Sequence, residues 1–185
     1  GVRVAIQGFG NVGRYAALAA QQAGARVVAI SDVSGGVYNG NGIDIVAAME
    51  HVDRHRTLDG FTGGGHRISN AELLVSDCEV LMPCATGGVI TGANAADIKA
   101  KVVMEGANGP TTLEADVILN GNGVLVVPDV LANAGGVTVS YFEWVQDLQN
   151  YFWTESEIVG RLREIMSRSY EEVQSLAIKH KTDMR

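Results

Sequence analysis

The chain is short of several things, and each shortage narrows the field. It has two cysteines, Cys78 and Cys84, too far apart for a C-x-x-C motif. They flank the apolar run Val80-Leu81-Met82 and read as buried thiols, so a reducing, cytoplasmic setting is expected. Basic residues are outnumbered, 14 Lys and Arg against 21 Asp and Glu, for a net charge of −7. No basic run offers phosphate neutralisation, which argues against nucleic acid as a partner. No apolar run reaches membrane-spanning length and no signal peptide is visible, so no membrane partner is expected. The four histidines (His51, His55, His66 and His180) are scattered. His51 and His55 share a helix face at i, i+4, but the H-E-x-x-H order is absent and no third ligand is evident; they read as a solvated face rather than a zinc site.

What is present suits one globular domain with a real core: 185 residues, 46% hydrophobic and 19% charged. The chain is organised around its first stretch, Val2-Arg3-Val4-Ala5-Ile6-Gln7-Gly8-Phe9-Gly10-Asn11-Val12-Gly13. This reads as an apolar strand, a glycine-rich turn and the start of a helix rich in alanine (Ala16, Ala17, Ala19, Ala20). Gly8, Gly10 and Gly13 fit G-x-G-x-x-G, in which the glycines allow a tight turn, close approach of a pyrophosphate, and close helix–strand packing. A second strand, Arg26 to Ser31, delivers Asp32, 19 positions after Gly13. A carboxylate there can accept both hydroxyl hydrogens of an adenosine ribose. The context of strand, turn, helix, strand and acid points to dinucleotide binding over a bare βαβ unit whose glycines only pack.

Farther along, residues 34–42 are dense in turn formers and read as a loop, followed by a helix from Ile43 to about Arg56. His66 to Ser69 suits a short strand, and Asn70 is placed to cap a brief helix through Val75. Regular alternation resumes with strands at 79–82, 101–105 and 124–127. Between them lie a helix opened by Asn94 and running to Lys99, and one capped by a Thr111–Glu114 box. Near-continuous apolar strands interleaved with helices imply an α/β fold of Rossmann type: a doubly wound, mainly parallel sheet covered on both faces. The tail is helical, from Val139 to Asn150 and again after a Thr154–Glu157 capping box. Six aromatics fall within 13 residues, 141 to 153, and read as core or, with a slight preference, as a docking surface. The expected division is a dinucleotide-binding domain over 1–150 and a helical segment over 151–185. Residue 1 lies one step before a core strand, so the chain reads as part of something larger.

In such a sheet ligands lie beyond the carboxyl ends of the strands. The residues expected there are Gly8 to Gly13, Asp32, Pro83 to Gly88, Gly106 to Asn108, and Pro128 to Asn133. All are loops of small or amide-bearing residues. Asn108 and Asn133 are candidates to hold the nicotinamide ribose and carboxamide, since an amide both donates and accepts; capping of loop and helix is an equal reading. No convincing proton carrier is seen at these ends. Glu105 sits at one of them, but could equally cap or pair.

Three segments carry a resemblance: Gln7 to Gly13, Glu105-Gly106-Ala107-Asn108-Gly109-Pro110-Thr111-Thr112, and Pro128 through Gln146 with its N-A-G-G-V-T-V-S-Y-F-E-W-V-Q run. They resemble glutamate dehydrogenase, in the glutamate, leucine, phenylalanine and valine dehydrogenase family, over essentially the whole chain. The resemblance implies the cofactor-binding domain of a two-domain, usually hexameric enzyme interconverting L-glutamate and 2-oxoglutarate plus ammonia with NAD or NADP. The catalytic lysines and aspartate would lie in a preceding substrate domain that this chain lacks, and the last family helices would be truncated at Arg185. No catalytic residue is therefore assigned within the chain. By motif, the expected cofactor contacts are Gly8, Phe9, Gly10, Asn11, Val12, Gly13, Asp32, Ala85, Thr86, Gly106, Ala107, Asn108 and Asn133. Val137 and Ser140 would edge the glutamate pocket. Gly87-Gly88 departs from the family's usual polar or acidic pair, leaving only backbone contacts from Ala85 and Thr86. Asp32 favours NAD by repelling a 2′-phosphate, unless Arg26 or a lysine folds nearby. Two other readings stand beside this one: another amino-acid dehydrogenase, and a non-catalytic NAD(H)-binding module.

Overall fold

The alternation of small and branched apolar residues in the opening stretch makes a strand that is buried on both faces. In the computed structural model, which describes residues 1–185, this is β1 (Arg3–Gln7). Val4 and Ile6 point into one hydrophobic cluster and Ala5 into another, so β1 separates two cores. Six more strands complete a single sheet: β2 (Arg26–Asp32), β3 (Gly35–Tyr38), β4 (His66–Ile68), β5 (Val80–Pro83), β6 (Val102–Met104) and β7 (Leu125–Val127). Their order is β4-β3-β2-β1-β5-β6-β7; β2, β1, β5, β6 and β7 pair in parallel, and β3 alone is reversed, pairing antiparallel with both β2 and β4. From β1 the chain builds outward first through β2, then returns to the other side at β5.

The helices are α1 (Asn11–Gln22), α2 (Ile45–His55), α3 (Asn70–Leu74), α4 (Leu113–Gly121), α5 (Asp129–Ala132), α6 (Gly135–Gln149) and α7 (Glu155–His180). Ala17 of α1 with Ile45 and Ala48 of α2 fill one cluster; Leu73 and Leu74 of α3 with Ala115 and Leu119 of α4 fill the other. A bulge in β2 serves both: the register slips between Val4–Val27 and Ala5–Ala29, so Val28 and Ala29 face the same side.

Several expectations need correction. The stretch read as a loop at 34–42 contains β3, which is held by pairing to strands on both sides. The helix expected from Asn94 is one 3-10 turn, Ala95–Asp97. Helix α4 is capped by Thr112, whose hydroxyl accepts from Ala115 N, not by Thr111. Thr111 is occupied instead in a parallel bridge to Ile90. Finally, Ser69 caps α3 in a reciprocal box with Glu72, leaving Asn70 free to brace the end of β2.

The Thr154–Glu157 box forms as expected and opens α7. Helix α6 starts at Gly135, four residues earlier than read. Its aromatics divide: Phe142 is buried and meets Trp153 edge-on at 5.5 Å, with Arg161 stacked 4.3 Å from the Trp153 ring. Tyr141, Trp144, Tyr151 and Phe152 are exposed. His51 and His55 stack at 4.4 Å, and His51 Nε2 is bonded to the Asp59 carbonyl.

Candidate functional site at the strand ends

The carboxyl ends of the parallel strands open into two adjoining depressions that share Val12, Cys84, Ala85 and Thr86. The larger, about 750 Å³, runs from the Gly8–Val12 turn to Asp32. The other runs from Thr86 past Gly106, Ala107 and Asn108 to Asn133 and Val137. Together they form one groove crossing the point where the sheet changes direction of growth.

Each glycine of the opening motif has a distinct reason. Gly8 has φ +95°, and a Cβ on it would lie 2.7 Å from Ala85 N. A Cβ on Gly13 would lie 1.7 Å from the Gly8 carbonyl oxygen, so only glycine lets α1 lean on the turn. Gly10 is different. Its φ of −83° suits any residue, and a Cβ there would meet no protein atom within 4 Å. The protein does not require glycine at this position; a ligand lying against the backbone would. Behind it, the N–H groups of Asn11, Val12 and Gly13 have no protein acceptor, and the first turn of α1 carries neither a side-chain cap nor an acid. That end of a 12-residue helix has both free donors and the positive pole of the dipole.

Phe9 is buried in the core, so only its backbone reaches the groove. Asp32 lines the larger depression, but its carboxylate is already held. One oxygen accepts from Ser34 N (2.7 Å) and Oγ (2.6 Å), the other from Leu58 N (2.6 Å). These three donors orient the carboxylate and leave part of its acceptor capacity open toward the depression. Arg26 is at the far end of β2, bonded to the Gly40 carbonyl, and cannot serve a 2′-phosphate. Arg14 and Arg56 line the depression with Asp32 instead. Sequence reading missed both. Arg14 directly follows the glycine motif, and Arg56 is a left-handed C-cap (φ 68°) of α2, a conformation its side chain does not signal. Gln7 and Asn70 were also missed; both line the groove, and Gln7 Oε1 is buried without a partner.

On the other side, Gly106 permits close approach of Cys84, whose Sγ would lie 2.6 Å from an added Cβ. Burial pushes the Cys84 thiol up to about 12 and Cys78 up to about 11, so neither offers a thiolate. Gly88 has φ +66°, a conformation that favours glycine, and donates to the Gly109 carbonyl; a Cβ on Gly87 would lie 3.1 Å from the Asn108 carbonyl oxygen. Asn133 Nδ2 donates to Asn108 Oδ1 at 2.6 Å, pairing the two candidate amides. Glu105 does not face the groove; it is fully buried, accepts from Asp129 N (2.8 Å) and pairs with Arg185 (2.7 Å). Val137 projects at the edge, 71% exposed. Ser140 lies one turn on, outside the groove lining, its hydroxyl donating to the Gly136 carbonyl at 3.3 Å.

Known proteins are similar to this chain in sequence and fold. A glutamate dehydrogenase of Thermotoga maritima is 51% identical over 98% of the chain, and the catabolic NAD-specific glutamate dehydrogenase RocG of Bacillus subtilis is 50% identical over 99%. The chain spans 44% and 43% of their lengths. The crystal structure of a hetero-hexameric glutamate dehydrogenase from Thermus thermophilus, in a Leu-bound form, superposes with a TM-score of 0.93 at 35% identity, covering all of this chain and 43% of that one. The sequence profile of the Glutamate/Leucine/Phenylalanine/Valine dehydrogenases matches residues 1–185, and the chain belongs to that family.

Proposed function

We propose that the chain is the dinucleotide-binding part of a glutamate dehydrogenase, a Rossmann-type unit over 1–150 followed by a helical segment over 151–185. The observation that carries this is Gly10, where space left open by the protein adjoins unpaired N–H groups at the start of α1. A pyrophosphate would lie there, with the adenosine ribose toward Asp32 and the nicotinamide toward Asn108 and Asn133. Bound nicotinamide supplies a hydride acceptor; the chain's residues position it and expose one face to a substrate. Val137 and Ser140 would border the substrate, L-glutamate or 2-oxoglutarate. No lysine or histidine lines the groove, so proton transfer falls to residues outside this chain. NAD is the favoured cofactor because Asp32 disfavours a 2′-phosphate, in keeping with the NAD-specific relative. Arg14 and Arg56 beside it leave NADP as a weaker ligand. The hetero-hexameric relative supports an oligomer.

The test is fluorescence titration of the purified chain with NADH and NADPH, paired with an assay for glutamate-dependent NAD reduction. Binding is expected, tighter for NADH, without turnover. Tighter NADPH binding would remove Asp32 as the selectivity filter, absence of binding would overturn the dinucleotide reading, and turnover would overturn the assignment of proton transfer elsewhere.

A further inference from the structure

The carboxylate of Glu105 is fully buried at the end of β6, one residue before the Gly106–Asn108 turn. Burying a charge is costly unless it is paired and hydrogen-bonded. Its two oxygens have different partners: Asp129 N at the start of α5, at 2.8 Å, and Arg185 Nη2, at 2.7 Å. Arg185 arrives from beyond the far end of α7. It is seated on α4 by a second ion pair, Nε to Asp116 at 3.1 Å, and by a hydrogen bond between Asn120 and Asp183. From Glu105 the connections run on toward the groove. Asp129 accepts from Gly109 N at 2.7 Å, and Asn133, closing α5, donates to Asn108.

We propose that Arg185 is a positioning residue for the nicotinamide end of the groove. By neutralising Glu105 it fixes α5 against the 106–109 turn, and thereby sets the spacing of Asn108 and Asn133. It touches no ligand and acts through Glu105. The inference rests on the dinucleotide reading, and it confines the effect to one end, because neither Asp32 nor the Gly8–Gly13 turn belongs to this network.

The experiment titrates the 185-residue chain with NADH and, separately, with ADP, which lacks the nicotinamide half. Arg185→Met weakens NADH binding on the order of tenfold by leaving Glu105 unpaired, while ADP affinity changes by less than about twofold. Arg185→Lys, which keeps the charge, recovers most of the loss. In a Glu105→Gln background, which keeps an acceptor for Asp129 N–H but has no charge to neutralise, Arg185→Met adds no further loss. Unchanged NADH affinity in the single variant, a parallel loss of NADH and ADP, or an undiminished loss in the Glu105→Gln background each overturns the proposal. A wild-type chain that binds neither nucleotide overturns the reading beneath it, which is a separate result.

Discussion

At the scale of single residues, Gly8 and Gly13 of the motif answer to protein neighbours and Gly10 to none, and this makes them separable by mutation. Gly13→Ala drives a Cβ into the Gly8 carbonyl and is expected to cost about 3 kcal/mol, since neither backbone can yield far. Gly10→Ser meets no protein atom, keeps an allowed backbone and supplies a good N-cap, so unfolding stability stays within about 0.5 kcal/mol. Its hydroxymethyl group nonetheless occupies the approach to the α1 N–H groups, and NADH binding drops sharply. Denaturant unfolding and nucleotide titration of both variants check the pair; a Gly10→Ser chain that binds NADH normally would show that the open space has no ligand role. The motif was legible in sequence because glycine spacing announces it. Arg56 was not, because its place in the groove comes from a left-handed backbone at the end of α2.

Secondary-structure elements show where local reading fails. Gly35-Gly36-Val37-Tyr38 has the composition of a turn, yet it becomes β3, with Gly36 packed so closely that a Cβ would lie 2.8 Å from the Ile30 carbonyl. Pairing with two neighbours outweighs low intrinsic strand preference. The parallel strands were legible because burial on both faces leaves an unbroken apolar run. The start of α6 was obscured by Gly135-Gly136, poor helix formers that follow straight on from α5.

The junction of β1 and β5 also carries a pH signature. Arg3 donates from Nε (3.0 Å) and from its backbone N–H (2.7 Å) to Glu79, and these bonds, the side-chain ones foremost, hold the Glu79 carboxyl down to about 2 from an ordinary 4.5. A depressed carboxylate contributes stability that is full above its unfolded value and is lost as pH falls toward the folded one. Wild-type stability should therefore decline between about pH 4.5 and 2 partly through Glu79. Glu79→Gln should be less stable near neutrality and show a shallower decline in that window. Melting temperatures measured against pH decide it, and identical slopes would exclude the contribution.

For the molecule as a whole, the central place of β1 has a consequence in time. The strand that comes first in chain order within the sheet is the one around which both halves of it assemble. Val4 pairs with Val27, 23 positions on, and with Val80, 76 positions on. Closing the longer loop costs about 1 kcal/mol more in chain entropy than closing the shorter one. The β1–β2 pair, with the glycine turn and Asp32, is thus expected to form before β5, β6 and the amide pair at Asn108 and Asn133. Pulse-labelled hydrogen exchange during refolding should find β1 and β2 amides protected first; earlier protection of β6 and β7 would reverse the order. On this sequence of events, the open α1 N-terminus and Asp32 are in place while the end at Asn108 and Asn133 is still unmade, and a ligand held at the first would help draw the second half of the sheet into place.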